Sequence, residues 1–360
     1  MEPIVIIGAG LTGLTTAYLL RQAGQSVRLL EGRHRNGGRI FTSGTAAVPL
    51  EMGATWFGPQ HTLLRALLQE LNLAIFQQHS AGTALFDTFS FAAPQPFHVA
   101  QAQEPIYRIA GGTAALIERL VAGSGPAQID YSWVAAELID REDYVLIVDQ
   151  QGREVRARRV ISTIPPAVLG QQVHFTPALP PEAAQVLQST HTWMSGSTKA
   201  AVSYGTPFWR QRGFSGAVFS QVGPISELHD HTNAAGTGFG LMGFLAAGVA
   251  HLPPVERQRL VIDHLVRLFG EEAAAYTHYE DYHWGDEFVQ TATPGMLVPH
   301  QNNGHPRYGQ ALFGGKLWLA GTETAPHYGG YMEGAIWSAR AVSEAMENLP
   351  SPVWSRSREN

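Results

Sequence analysis

Six residues near the N-terminus, Gly8-Ala9-Gly10-Leu11-Thr12-Gly13, restrict what this chain can fold into more than any other feature. They follow the apolar run Ile4-Val5-Ile6-Ile7 and open a helical pattern, Leu11 to Gln22, that Gly24 closes; a second apolar run, Val27 to Leu30, comes next. Strand, glycine turn, helix and strand in this order predict one βαβ unit, the context that gives a glycine pattern meaning. Gly8 permits the tight turn, Gly10 lets backbone approach a pyrophosphate and Gly13 lets the helix pack close to the strand. The helix start at Leu11 and Thr12 offers unpaired N–H groups to phosphate. Glu31 ends the second strand, where a carboxylate accepts hydrogen bonds from ribose hydroxyls and repels a 2′-phosphate, which disfavours NADP.

The remainder reads as a soluble globular protein. Its 360 residues are 44% hydrophobic and 15% charged, which suits a buried core and predicts two or three domains. A net charge of -6 without any lysine- and arginine-rich run leaves no footprint for a phosphate backbone, so no nucleic-acid partner is expected. Cysteine is absent, which excludes disulfides, cysteine-ligated metals and a cysteine nucleophile; no metal is expected. No apolar run approaches the roughly 18 residues that span a bilayer, and the first residues lack the pattern of a secretory leader. A cytoplasmic protein without membrane contact is expected.

Leu63 to Leu71 has helical spacing, whereas Gln128 to Asp149 and Arg153 to Ser162 read as strands with a hairpin at Gln151-Gly152. A proline-rich stretch from Pro165 to Pro181 marks an expected domain crossing. Lys199 to Tyr204 and Lys316 to Gly321 read as further strands, and Glu333 to Met346 as a helix. Close behind Glu31 comes Arg35-Asn36-Gly37-Gly38-Arg39, whose glycines expose backbone N–H groups and whose two guanidiniums suit phosphate. This extension is a flavoprotein feature and points to FAD. Here the chain resembles the FAD-dependent amine oxidase family, which includes monoamine, polyamine and L-amino-acid oxidases, and the resemblance covers most of the chain.

The resemblance implies an α/β fold, with a Rossmann-type FAD-binding domain of glutathione-reductase-like type made from residues 1–80, 104–166 and 286–348. An α+β substrate domain, 81–103 and 167–285, is inserted into it, and 349–360 is a flexible tail. Gly32 and Arg33 are implied beside Glu31 at the adenosine, Gly38 and Arg39 at the phosphates, Val134 at the adenine and Thr163 on the exit Val160 to Pro166. Glu51 to Pro59 is similar to the family's loop beside the flavin, which assigns Gly53, Ala54, Thr55 and Trp56 to the cofactor. Lys199 matches the lysine that holds a water beside flavin N5, and Trp284 matches an aromatic near it. Leu319 to Ala335 is the most specific match: Gly321, Thr322 and Glu323 approach the pyrophosphate and ribityl chain, and Gly330, Met332 and Ala335 follow the ring. Tyr331 falls where the family places an aromatic on the substrate side. Lys199, Tyr331 and Trp284 are therefore the expected catalytic residues.

Two features depart from the family pattern. Phe288 to Pro294, where relatives supply a second aromatic and sometimes a flavin-bonding cysteine, offers neither in alignment, so a non-covalent FAD and a half-formed aromatic pair are expected. Only roughly fifty residues separate the Gly53 loop from Ala110-Gly111-Gly112, which implies a reduced first insertion; Leu85 to Phe97 and Phe208 to Phe244 are the expected pocket walls. The implied reaction passes hydride from the α-carbon of a small amine to the flavin, with hydrolysis of the imine and reoxidation by O2 to hydrogen peroxide. A flavin desaturase or dehydrogenase, or an FAD-binding protein without amine turnover, are the alternatives.

Overall fold

The structure, a computed structural model, describes residues 2–45, 47–98, 104–125, 128–286 and 297–348. The segment Phe288 to Pro294 and the tail 349–360 lie outside the described residues. Strand β1 (Ile4–Ile7), helix α1 (Leu11–Gln22) and strand β2 (Val27–Leu30) form where the apolar pattern places them. β1 is apolar at every position because it is the middle strand of a five-stranded sheet covered on both faces. It pairs in parallel with β2 on one side and Arg159–Ser162 on the other. Gln128–Asp130 and Leu317–Leu319 extend the sheet at its two edges, again in parallel. This is the α/β, Rossmann-like architecture.

α1 is buried over most of its circumference, from Leu11 to Leu20, which explains its lack of a polar stripe. It packs between the sheet and the closing helix Met332–Asn348, whose Ile336, Ala339 and Val342 are buried. The helix Thr62–Glu70 presents Leu64, Leu67 and Leu68 to the same core, three residues at the i, i+3, i+4 spacing of one helical face. Its first turn is held from far along the sequence: the buried carboxylate of Glu333 accepts hydrogen bonds from the backbone N–H groups of Leu63 and Leu64 at 2.9 and 2.8 Å.

A second core lies beside the parallel sheet, under the antiparallel strands Ala135–Asp140, Val145–Asp149 and Glu154–Ala157. His174–Thr176 joins this strip in parallel, and Leu169, Phe175 and Leu187 pack into its core. The chain therefore crosses to the other half of the molecule after Gln188, later than the proline-rich entry suggests. Prolines there instead start two short helices, Pro166–Gln172 and Pro181–Gln188, at the N-terminal position where a missing N–H costs nothing. Across the crossing, a seven-stranded sheet runs in the order Tyr276–His283, Thr198–Tyr204, Phe239–Leu245, Ile225–Asp230, Phe214–Ser220, Thr83–Asp87, Gln95–His98. The helix Pro254–Phe269 covers its outer face through Val261, Leu265 and Leu268, leaving the opposite face toward the parallel sheet.

Candidate active site

The glycine turn after β1 is built as its spacing demands. Gly8 has φ +107°, a conformation that favours glycine. A methyl group on Gly13 would overlap the carbonyl oxygen of Gly8, so the helix can approach the strand only because that position is bare. At the helix start Gly10 caps α1 with no side-chain partner and no acidic residue in the first turn, which leaves the N–H groups there for an external anion. Gly10 pairs in a short bridge with Gly37, and Gly38 closes against its Cα.

A cavity adjoins this turn. It is lined by Glu31, Gly32, Arg33, Val134 and Ala135, by Gly10, Leu11, Thr12, Gly38 and Arg39, and by Thr163, Gly321, Thr322, Gly330, Met332 and Ala335. Ala54 and Tyr331 also line it. Glu31 is buried and accepts from the N–H of Ala9 at 2.6 Å and of Arg33 at 2.9 Å, a carboxylate with acceptor capacity left for hydroxyls. Arg39 makes a two-pronged ion pair with the fully buried Glu323, at 2.5 and 3.0 Å, and keeps further donors of its fork for the cavity. An uncapped helix start, a buried acid at the far end and bare backbone between them fit a dinucleotide of the FAD type.

Five expected cofactor residues, Gly13, Gly53, Thr55, Trp56 and Glu323, stand behind this lining rather than on it. Gly13 serves helix packing, and Glu323 reaches the cavity through Arg39. Gly53 and Thr55 face Lys199: its ammonium donates to the Gly53 carbonyl at 2.7 Å and to the Thr55 hydroxyl at 2.9 Å. Lys199 is 3% exposed, and its Nζ lies 5.2 Å from the ring centroids of both Trp56 and Phe244. Burial pulls its pKa down to about 7, against the pull of the nearby Glu51 carboxylate. Glu51 is itself buried, which raises its pKa, and accepts from the N–H of Thr113 and the hydroxyl of Thr42.

Trp284 lies behind the loop that Lys199 bonds, its backbone N–H donating to the Ser197 carbonyl. Its indole N–H donates to the carbonyl of Met52 at 2.7 Å, and its ring meets Tyr282 edge-on. It holds the loop in front of Gly53 from behind and does not line the cavity. Arg35, expected at the phosphates, instead hydrogen-bonds the carbonyls of Asn36 and Gly38 and covers the ring of Phe41. It braces the loop that presents Arg39. Of the expected pocket walls, Leu85, Phe208 and Trp209 belong to the core of the seven-stranded sheet, whereas Phe244 faces Lys199.

Tyr331 is 43% exposed and sits beside a stack that the sequence did not suggest. Trp193 and His300 lie face to face, 4.4 Å between centroids, and both rings are nearly parallel to Tyr331 at 6.3 and 5.9 Å. The segments carrying them are tied together, since the N–H of His191 donates to the carbonyl of Gln301 and the N–H of His300 to His191 Nδ1. Trp193 and His300 lie in irregular segments with no periodicity, so only three-dimensional placement identifies them.

A dinucleotide cleft lined by Ala54 and an exposed tyrosine, with a desolvated lysine amine held by the residues on either side of Ala54, defines a flavin-dependent oxidoreductase. The pattern of the flavin containing amine oxidoreductases matches residues 11–92 and 88–346; the chain belongs to that family, uses FAD and oxidises amines. It is 29% identical to a Mycobacterium tuberculosis protein assigned as the flavin-containing monoamine oxidase AofH, over 95% of this chain and 96% of that one. Identity to the flavin-containing amine oxidase B of Mus musculus is 25%, over 98% and 88%. The fold superposes with TM-score 0.81 on putrescine oxidase bound to putrescine, at 20% identity over 97% of this chain and 99% of that one. Cyclohexylamine oxidase from Brevibacterium oxydans gives the same TM-score at 22% identity, over 96% and 100%. With no cysteine in the chain, a cysteinyl link to the flavin is excluded.

Proposed function

We propose that the protein oxidises small neutral amines at the Lys199 end of the cavity, with O2 as the final acceptor. The single observation that carries this reading is the buried Lys199 amine, fixed by Gly53 and Thr55 beside the Ala54 loop that lines the cofactor cavity. Bound FAD would supply the hydride acceptor and, with O2, yield hydrogen peroxide. The chain would hold the cofactor through Glu31, the start of α1, Arg39 and the start of the closing helix, whose N–H dipoles favour negative charge at the ring. Lys199 uses two of its three donors on Gly53 and Thr55, which leaves one for a water or substrate nitrogen. With its pKa near 7, it exchanges that proton close to neutrality. Tyr331 would orient the amine, and Trp284 acts as a positioning residue through Met52.

The antiparallel strip beside the parallel sheet and the seven-stranded insertion support the glutathione-reductase-like variant of the fold. Among the described residues no helix is long and apolar enough to cross a membrane. The test is peroxide formation by the FAD-loaded protein over a panel of monoamines, diamines and amino acids, with anaerobic bleaching of the flavin as a second readout. A yellow protein that no amine bleaches would overturn the proposal.

A further inference from the structure

Three charge-bearing side chains are sealed from water around the Lys199 amine. Glu51 ends the short strand Pro49–Glu51 and is 3% exposed; Arg108, in the strand Tyr107–Ile109, is 4% exposed, and Lys199 3%. His231 links the first two. Its Nε2 accepts the Glu51 backbone N–H at 3.2 Å and lies 3.3 Å from Arg108 Nη2, so this nitrogen carries no proton. Burial, with the charges of Arg108 and Lys199, holds the ring far below the usual histidine range. Both Glu51 oxygens are acceptors: one takes the Thr113 N–H and the other the Thr42 hydroxyl, whose own oxygen is occupied by the Ala114 N–H. Burial raises the Glu51 pKa, and these donors and the Lys199 charge oppose that rise. Arg108 donates to the Thr232 carbonyl at 3.0 Å and covers the ring of Phe76. Burial pulls its pKa down only to about 10, so it stays charged at neutrality.

Counting charges singles out Lys199. One buried anion stands among two buried bases; Arg108 balances Glu51, and a proton on Lys199 is the unmatched charge. The neighbouring acids have partners of their own, since Asp230 makes a two-pronged pair with Arg210 and Glu227 bonds His229. Tyr282, directly opposite Lys199, and the rings of Phe244 and Trp56 complete its surroundings. We infer that Glu51 and Arg108 are positioning residues that set the proton on Lys199, the carboxylate favouring it and the guanidinium opposing it. The inference rests on the proposed amine oxidation for its use, and adds the device that keeps this lysine able to take up a proton near neutrality. After burial, which lowers the Lys199 pKa, Glu51 is the next influence and raises it; Arg108 lowers it, and Glu227 raises it least. Removing the carboxylate leaves burial and Arg108 unopposed, so the proton leaves at lower pH. Removing the guanidinium has the opposite effect, and a merely structural role would not move one midpoint in both directions.

Lys199 and Lys316 are the only lysines in the chain, so protein grown with lysine isotopically labelled at Cε gives two NMR resonances, and Lys316→Arg identifies the one from Lys199. The FAD-loaded protein is titrated as wild type, Glu51→Gln, Arg108→Gln and the double variant, and log kcat/KM against pH is measured alongside. Wild-type Lys199 is expected to titrate at pH about 7, Glu51→Gln about one pH unit lower and Arg108→Gln about one pH unit higher, with the double variant between them. Glu51→Met and Arg108→Met serve where thermal unfolding shows that a first variant is not folded. A midpoint that stays in place in either variant, or moves the same way in both, overturns the inference. So does a wild-type midpoint in the ordinary lysine range, about 10. Opposed shifts of the resonance uphold the inference even where no amine is turned over, and that absence of turnover overturns the proposed oxidation alone.

Discussion

The two ends of the cofactor cavity are made of different material. The adenosine and pyrophosphate end is made of backbone: a bare helix start, glycines that admit close approach and one acid, contributed chiefly by one continuous stretch, Ile4 to Arg39. The other end is made of side chains from separate segments: Lys199 is held by the Gly53 and Thr55 loop that also carries Ala54, and Trp193 and His300 stack beside Tyr331. A backbone site tolerates almost no added volume but depends little on any one side-chain chemistry. A side-chain site behaves in the opposite way.

The first way to break this contrast is to add volume at the backbone end. Gly13→Val places carbon atoms on the Gly8 carbonyl, and overpacking of this kind is expected to cost more than about 3 kcal/mol. The expected result is a protein without visible flavin absorbance and with a sharply lowered Tm; a yellow, stable variant would show that the turn has slack.

At the lysine end, Lys199→Met is expected to keep the flavin while lowering kcat by about 10²- to 10³-fold, as measured by anaerobic flavin bleaching. This residue also sharpens the contrast through pH. Burial lowers the Lys199 pKa to about 7, so the amine is charged below that pH and neutral above it. The rate requires a neutral substrate amine and a lysine able to take a proton, so both terms rise together up to pH about 7 and only the substrate term rises beyond it. The slope of log kcat/KM against pH should therefore fall by about one unit near that pH in wild type, and show no such break in the methionine variant.

Glu31→Gln tests how little chemistry the backbone end needs. It removes charge from an acceptor of two backbone N–H groups and is expected to weaken FAD retention by about tenfold, read by fluorescence titration of the apoprotein. The smallest effect should come from Trp193→Ala, which removes a ring from the Tyr331 stack. About 1 kcal/mol is expected, as a several-fold rise in amine KM with kcat nearly retained; a collapse of kcat would place Trp193 in the chemistry itself.

The same contrast explains what could be read from the residues in order. β1, α1 and β2 were legible to the residue because a βαβ unit is local: its strands are uniformly apolar and its helix is punctuated by Gly10 and Gly24. Lys199, Tyr331 and the Gly321 to Ala335 stretch were legible through family resemblance. The Trp193–His300 stack was not, since neither residue sits in a periodic element and their contact joins positions more than a hundred residues apart. Arg35 shows the reverse error: the right residue type lies near the right place, but hydrogen bonds to the carbonyls of Asn36 and Gly38 turn it toward support. Sequence spacing cannot specify that direction.

The clasp between Glu333 and the N–H groups of Leu63 and Leu64 bears on how the protein is made. Two helices whose positive ends would otherwise face each other share one anion, and that anion is synthesised about 270 residues after its partners. The edge strand Leu317–Leu319 and the Arg39 partner Glu323 arrive equally late. A ribosome-bound chain can thus form the glycine turn early yet has no closed cleft to retain a nucleotide until its final helix emerges. Cofactor capture is in this sense a checkpoint on complete synthesis: a chain truncated before Met332 should emerge colourless and open to proteases, whatever the quality of its N-terminal fold.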